Sequence, residues 1–267
     1  MKAIFTFIGL VILFVLSLIL LQNNDNNNDN NIGNNLVIIS SVIHTSSKPL
    51  IANSDDTLYY HQRSTISPKE RFKQTLLTIK SVKKKIPNAT IILLEGSKLS
   101  PEETKILLDK GVNYIHDESV ELNDIINSPY KSIAEVHMIL HFMYSDYFKN
   151  NYMHFNTFSK ISGRYFLTDN FKFNKYSRDK VICHCPNELK CNTRYYRIPM
   201  TLIDKYIKSL EDALIDPIFA NHKTDIEGYN IFKIFNDSDR IKIRKPDILG
   251  VAGVQAPWSA FVEDFVV

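Results

Sequence analysis

The stretch SPKERFKQTLLTIKSVKKKIPNATIILLE, Ser67 to Glu95, decides the fold class. Ser67-Pro68-Lys69-Glu70 is a capping box with Pro at the first helical position. Phe72, Leu76, Ile79, Val82 and Ile86 follow at helical spacing, and Pro87 stops the helix. The seven residues from Ala89 to Glu95, ATIILLE, are apolar without alternation until the final acid, which predicts a strand buried on both faces.

The same pattern extends in both directions. Upstream, LVIISSVI (Leu36 to Ile43) reads as a first buried strand. Downstream, Ser100-Pro101-Glu102-Glu103 is a second capping box, Gly111 closes its helix, and VNYIHD (Val112 to Asp117) is a third strand. Strand, helix, strand, helix, strand with doubly buried strands predicts an α/β fold: a mixed, mainly parallel sheet with helices on both faces. Ligands of such sheets bind beyond the carboxyl ends of the strands, where Ser40-Ser41, Glu95 and Asp117 fall.

Further along, SPYKSIAEVHMILHFMYSDYF reads as one helix with Ile133, Val136, Leu140, Met143 and Tyr147 on one face. YMHFNTFSKISGRYF is a fourth strand running into a Ser162-Gly163-Arg164-Tyr165 turn. KVICHC and TRYYRIP form a hairpin. Thr201 caps a helix bearing Leu202, Ile203, Tyr206, Ile207 and Leu210. The tail DILGVAGVQAPW reads as an irregular closing segment. Between Ile43 and Ser67 lies a polar stretch without a period, long enough to suggest a functional loop.

The N-terminal region has a separate character. Ala3 to Leu21 carries no charge over 19 residues, sufficient to span a bilayer. Lys2 precedes it, and Asp25 and Asp29 follow with no Lys or Arg before Lys48, so the expected orientation is N-terminus cytosolic and body luminal or extracellular. Gln22 to Asn35 is an Asn/Asp tract too polar to pack and reads as a flexible stalk. The expected organisation is a membrane anchor (1–21), a stalk (22–35) and one α/β domain (36–267). Asn88-Ala89-Thr90 and Asn236-Asp237-Ser238 are glycosylation sequons.

A net charge of +3 is too small to suggest nucleic-acid binding. None of the eight His residues falls in H-x-H or H-E-x-x-H, which argues against a His-based hydrolase. Cys183, Cys185 and Cys191 have C-x-C-x5-C spacing, unlike paired C-x2-C zinc knuckles, so one local disulfide with a spare thiol is expected in an oxidising lumen. No metal ligand is assigned.

The SGRY turn offers the most distinctive chemistry. A leaving diphosphate needs positive charge, supplied in many sugar transferases by Mn²⁺ or Mg²⁺ on a D-x-D motif. No paired acids stand at this turn. The D-x-D at Asp237-Ser238-Asp239 lies late in a polar stretch and reads as a solvated loop. Lys160 and Arg164 beside Gly163 provide charge without a metal, and Tyr165 can stack on a base or sugar.

Four blocks carry a resemblance. RSTISPKERFKQTLLTIKSVKKKIPNATIILLEGS (Arg63 to Ser97), YKSIAEVHMI (Tyr130 to Ile139), FSKISGRYFLTDNF (Phe158 to Phe171) and the ending LGVAGVQAPW together make the chain resemble glycosyltransferase-like proteins of large DNA viruses and phages. The second block departs from the group's K-G-x-G-E by replacing both glycines, in Lys131-Ser132-Ile133-Ala134-Glu135. The resemblance implies a nucleotide-sugar transferase fold. It places Arg63, Arg71, Gln74, Lys131, Glu135, Lys160, Ser162, Gly163, Arg164 and Tyr165 at the donor nucleotide, and makes Glu95 a ribose ligand or base. Asp225 and Glu227 become candidates for the base that deprotonates an acceptor hydroxyl. Sugar transfer to a glycan, lipid or protein hydroxyl, with weak or no metal dependence, is the expected activity. A non-catalytic glycan-binding surface or virion protein is the alternative.

Overall fold

In the computed structural model, residues 33–45, 50–51, 60–61, 64–115, 131–186, 191–215, 226–235, 238–245 and 249–254 are described. In chain order they run β1 (Asn34–Ser41), β2 (Leu50–Ile51), β3 (Tyr60–His61), α1 (Pro68–Lys85), β4 (Ala89–Glu95), α2 (Pro101–Asp109), β5 (Val112–Ile115), α3 (Lys131–Tyr144), α4 (Asp146–Asn151), β6 (Phe155–Ser162), β7 (Tyr165–Leu167), β8 (Val181–His184), β9 (Asn192–Pro199), α5 (Ile203–Ile215), α6 (Ile226–Ile234), β10 (Arg240–Ile243) and β11 (Val251–Gly253). The anchor and most of the stalk expected at the N-terminus lie outside the described residues. So do Arg63, Asp117, Asp225, Asp237 and the side chain of Lys131. No helix among the described residues is long and apolar enough to cross a membrane.

The α/β expectation holds. A seven-stranded sheet has the order β10-β8-β9-β6-β1-β4-β5. β1 lies between β4 and β6 and is parallel to both, with Ile38 opposite Ile92 on one side and Lys160 on the other. β5 is parallel to β4, and β10 to β8. β9 alone runs the other way, antiparallel to β6 and β8. The predicted β8–β9 hairpin therefore forms, with a register shift between Cys183 and His184.

Unalternating apolar strands have two covered faces. Leu36 and Ile38 of β1 join one buried cluster with Val136, Ile139 and Phe142 of α3, Tyr206 and Leu210 of α5, and Ile231 of α6. Val37 and Ile39 join the other with Ile79 and Val82 of α1 and Leu107 of α2. Both N-terminal caps form. Ser67 Oγ accepts the Glu70 amide, and at Ser100 the box is reciprocal, Glu103 Oε2 taking the Ser100 amide at 2.8 Å.

Several boundaries differ from expectation. β1 begins at Asn34, inside the tract assigned to the stalk, because Asn35 is buried. Its amide donates to Pro87 O at 2.6 Å and its carbonyl oxygen accepts from Thr157 Oγ1 at 2.7 Å. The single helix over Ile133–Tyr147 is two: Ser145 ends α3 and caps α4 through the Phe148 amide. Thr201 is no cap, since it lies inside a 3-10 turn, Met200–Leu202, that leads into α5. The tail is not wholly irregular, because Val251–Gly253 pairs antiparallel with β7.

That last pairing is unusually close. A Cβ on Gly253 would stand 2.3 Å from Arg164 O and 2.6 Å from a ring carbon of Tyr165. Gly253→Ala should therefore force β11 off β7 and cost about 1–3 kcal/mol, read as a lowered midpoint in urea denaturation. An unchanged midpoint would show that β11 does not seat there.

Candidate functional site

The strand order reverses at β1, so the crevice beyond the carboxyl ends of β1 and β6 is a topological switch point, the position where open α/β sheets bind ligands. The SGRY turn sits at that point. Gly163 donates its amide to Ser40 O at 2.8 Å. A Cβ there would meet Ser41 Cβ at 3.1 Å and Ser40 O at 3.2 Å, tighter than ordinary packing, so the turn is pressed against the end of β1. α1 holds it from the other side. Thr75 Oγ1 lies 3.4 Å from Gly163 O, and Thr78 Oγ1 donates to Tyr165 O at 2.7 Å.

Beneath the turn lies a buried charge network. Strand alternation puts Lys160 on the same face of β6 as Phe158, within the α3–α5–α6 layer. Lys160 is 0% exposed. Its Nζ has three acceptors: Glu135 Oε1 from α3 at 2.5 Å, Thr193 O from β9 at 2.9 Å and Glu227 Oε2 from α6 at 3.3 Å. An ammonium has three N–H donors, so this set saturates it. Glu135 Oε1 also accepts from Ser40 Oγ at 2.5 Å. Glu227 Oε1 accepts from the hydroxyls of Tyr196 and Tyr206, which also contact each other.

The three charges differ in character. Burial alone would push Lys160 down, but the two carboxylates outweigh it and hold the ammonium above its ordinary range. Burial likewise pushes Glu135 up, and is outweighed by Lys160 and the Ser40 hydrogen bond, so Glu135 titrates below the usual carboxylate range. For Glu227 burial wins. With the neighbouring Glu135 charge it lifts the carboxyl to about 7 despite Lys160. Glu227 is 1% exposed, whereas the Glu135 side chain is 25% exposed. Glu135 is thus the charge of the network that is partly open.

Two guanidiniums border the same crevice. Arg164 is half-buried, donates to Val254 O at 3.5 Å and stands 5.9 Å from the Tyr165 ring centre. Arg194 of β9 stands 5.5 Å from that ring. Burial, together with the charge of Arg194, lowers the Arg164 pKa, but the group remains a cation at any ordinary pH. No ion pair to Arg164 forms among the described residues, although Glu135 acts on it through its charge.

The sequence expectations divide clearly. Glu135, Lys160, Ser162, Gly163 and Arg164 do converge, around Ser40. Lys160, however, is not open to a phosphate, because its donors are spent inside the fold. Tyr165 is buried, covered by Gly253 and the guanidiniums, so its ring is not a platform for a base. Arg71 is buried too and donates from Nε to Val42 O at 2.6 Å, shaping the loop after β1. Gln74 is half-buried on α1, with its Oε1 buried and unpartnered. Glu95 is enclosed. Its Oε1 takes Ile43 N at 2.8 Å, Ser97 N at 3.0 Å and Ser97 Oγ at 2.5 Å, and burial raises its pKa against the hydrogen bonds of Ser97, Ile43 and Ser41. It fastens two loops and is closed to a hydroxyl. Glu227 lies in the first turn of α6 and is equally closed. Of the D-x-D, Asp239 pairs with Lys205 at 3.3 Å.

Sequence reasoning missed Thr193, Arg194, Tyr196 and Tyr206. One signal was present: Lys160 occupies a core register in FNTFSKIS, and a lysine there requires buried acids. Which acids these are is a tertiary matter. No protein-family model matches the chain, and no curated protein matches it.

Two measurements probe the network. Lys160→Met leaves one enclosed and one partly exposed carboxylate without their cation and should cost about 3–5 kcal/mol in urea denaturation, part of which Glu227→Gln restores in the double variant. A cost below about 1 kcal/mol would mean the pairs contribute no more than surface bridges. The second is a pH series. The folded chain keeps the Glu227 proton to about 7 while the unfolded chain releases it near 4.5, so this group's contribution to stability falls as pH rises through that window. Glu227→Gln has no proton to release there. Its Tm should therefore gain on wild type between about pH 5 and 8, and parallel curves would show that Glu227 is already ionised in the fold.

Proposed function

We propose that the chain is a glycosyltransferase using a nucleotide-sugar donor, bound over the carboxyl ends of β1 and β6, and tethered to a membrane by Ala3–Leu21. The observation that carries this reading is the convergence of Arg164, Gly163, Ser40 and Glu135 at the switch point of the sheet, from segments far apart in sequence. The apolar run at the N-terminus supports the tether.

Each group has a role on this reading. Arg164, with Arg194 beside it, supplies the fork that a diphosphate oxygen pair accepts. Glu135, kept ionised by Lys160 and Ser40, accepts a hydrogen bond from a sugar or ribose hydroxyl. Its lowered pKa suits a hydroxyl acceptor better than a base, since a general base works best near the operating pH. In the transfer, the bond from anomeric carbon to phosphate oxygen breaks and the acceptor oxygen forms the new bond. The nucleoside diphosphate departs with its charge met by Arg164. The acceptor proton goes to Asp225, the remaining base candidate of the sequence, since Glu95 and Glu227 are both enclosed.

The test is calorimetric binding of UDP-, GDP- and CMP-sugars to the full chain in detergent, each with Mn²⁺ and with EDTA. One nucleotide class should bind, EDTA should leave binding in place, and Arg164→Ala should weaken it about tenfold or more, roughly the 1.4 kcal/mol of one charged hydrogen bond. Binding that vanishes with EDTA would overturn the metal-independent form. Glycan binding with no nucleotide binding would replace the transferase reading by that of a non-catalytic module.

A further inference from the structure

On the same face of the sheet as Lys160, but further along β8 and β9, the three cysteines meet. Cys183 and Cys185 are two apart on the β8 segment and point to one face. Cys191, immediately before β9, comes across the hairpin to join them. The sulfur separations are 3.3 Å for Cys183–Cys185, 2.8 Å for Cys183–Cys191 and 2.7 Å for Cys185–Cys191. All three are free and buried among apolar side chains. The local disulfide expected from the sequence does not form.

Three buried thiols are ordinarily small hydrophobes at van der Waals spacing. These sulfurs are closer than that. A disulfide would single out one pair at about 2.05 Å, but here the two shorter sides of the triangle are nearly equal and neither is a bond. Three sulfurs converging on one centre are the ligand arrangement of a thiophilic cation. Tetrahedral ligands at the usual zinc–sulfur distance of about 2.3 Å stand about 3.8 Å apart, so loading a cation spreads this triangle outward. Alternation turns His184 to the opposite face, where its Nε2 contacts Arg244 O at 2.7 Å, so the described ligand set is three sulfurs.

The surroundings suit a trithiolate. Arg240 is buried, with its guanidinium donating to Ile231 O and Phe232 O, and its charge acts on both Cys185 and Cys191. Three thiolates and a divalent ion carry one net negative charge, which this cation offsets. The backbone is fixed as well: Cys185 N donates to Ile243 O at 2.8 Å and Cys191 N to Gly228 O at 2.9 Å.

We propose that Cys183, Cys185 and Cys191 form a structural site for a thiophilic d¹⁰ cation, zinc or monovalent copper, that staples the two sides of the β8–β9 hairpin together. Binding releases to solvent the protons that the thiols still hold and involves no redox step. Gly228, which anchors Cys191, adjoins Glu227, and β9 carries Thr193 and Tyr196. The metal therefore stiffens the rear wall of the Lys160 network. The inference is independent of the transferase reading, because it rests on other residues.

The experiment uses the full chain purified with reductant in detergent, stripped by chelator, then reloaded with Zn²⁺ or, anaerobically, with Cu⁺. Elemental analysis should find one equivalent of one of these ions, with the preferred ion raising Tm, and Co²⁺ should give sulfur-to-cobalt charge-transfer absorption. Thiol titration should find three reactive groups in denaturant plus chelator and none in the loaded fold. Cys191→Ser should lose the metal. Should that variant fail to fold, the metal ratio and cobalt spectrum of wild type still decide the matter. A chain with three free thiols and no retained metal overturns the proposal. So does a chain two hydrogens lighter with one titratable thiol, or retention of the ion by folded Cys191→Ser.

Discussion

A lysine with no exposed surface in the middle of a sheet is costly unless its charge is met on the spot. Lys160 sits beside Phe158 and Ile161 in β6, where every other central position is aliphatic, aromatic or a small hydroxyl. Its three donors go to α3, α6 and β9, so one ammonium fixes the relative placement of three elements that the apolar layer alone would leave free to slide. Buried ion networks are poor sources of net stability but set geometry strictly, because an ill-placed carboxylate leaves a charge without a partner. Here the geometry they set is that of the crevice at the strand ends.

The consequence passes to Glu135. It is the one charged member of the network that is partly exposed, and it is kept ionised by Lys160 and by Ser40 at the end of β1. Arg164, one turn of chain beyond Lys160, borders the same crevice with Arg194. The site therefore presents a fixed anionic acceptor beside two cations. The interior supplies the fixing: Glu227, hydrogen-bonded by Tyr196 and Tyr206, is protonated around neutral pH more readily than a surface acid, which limits the negative charge the fold must hold.

The turn is fixed just as firmly from the opposite face. Thr75 and Thr78 of α1 reach the carbonyls of Gly163 and Tyr165, and Ser81 Oγ accepts from Leu167 N at 3.0 Å. These hydroxyls face the sheet from a helix whose other side is lined with lysines. A period-based reading sees the apolar stripe of α1 and not this polar seam, because Thr and Ser score as neutral positions in such a pattern.

The sequence alone determined the layer architecture, since doubly apolar strands and capped amphipathic helices are patterns carried by residues adjacent in the chain. It also located the SGRY turn at a strand end. It could not determine which charges meet. Lys160 and Glu227 are 67 residues apart and pair only because β6 and α6 share a layer. The same limit explains Glu95, Arg71 and Tyr165, whose residue types suit a ligand but whose side chains the fold consumes. It explains the cysteines as well, because C-x-C-x5-C is ambiguous as a string, and only the hairpin's register shift and the alternation of β8 bring three sulfurs together and turn His184 away. Local propensity depends on near neighbours and is legible in the chain. A site depends on distant side chains being desolvated together, and that is decided by tertiary packing.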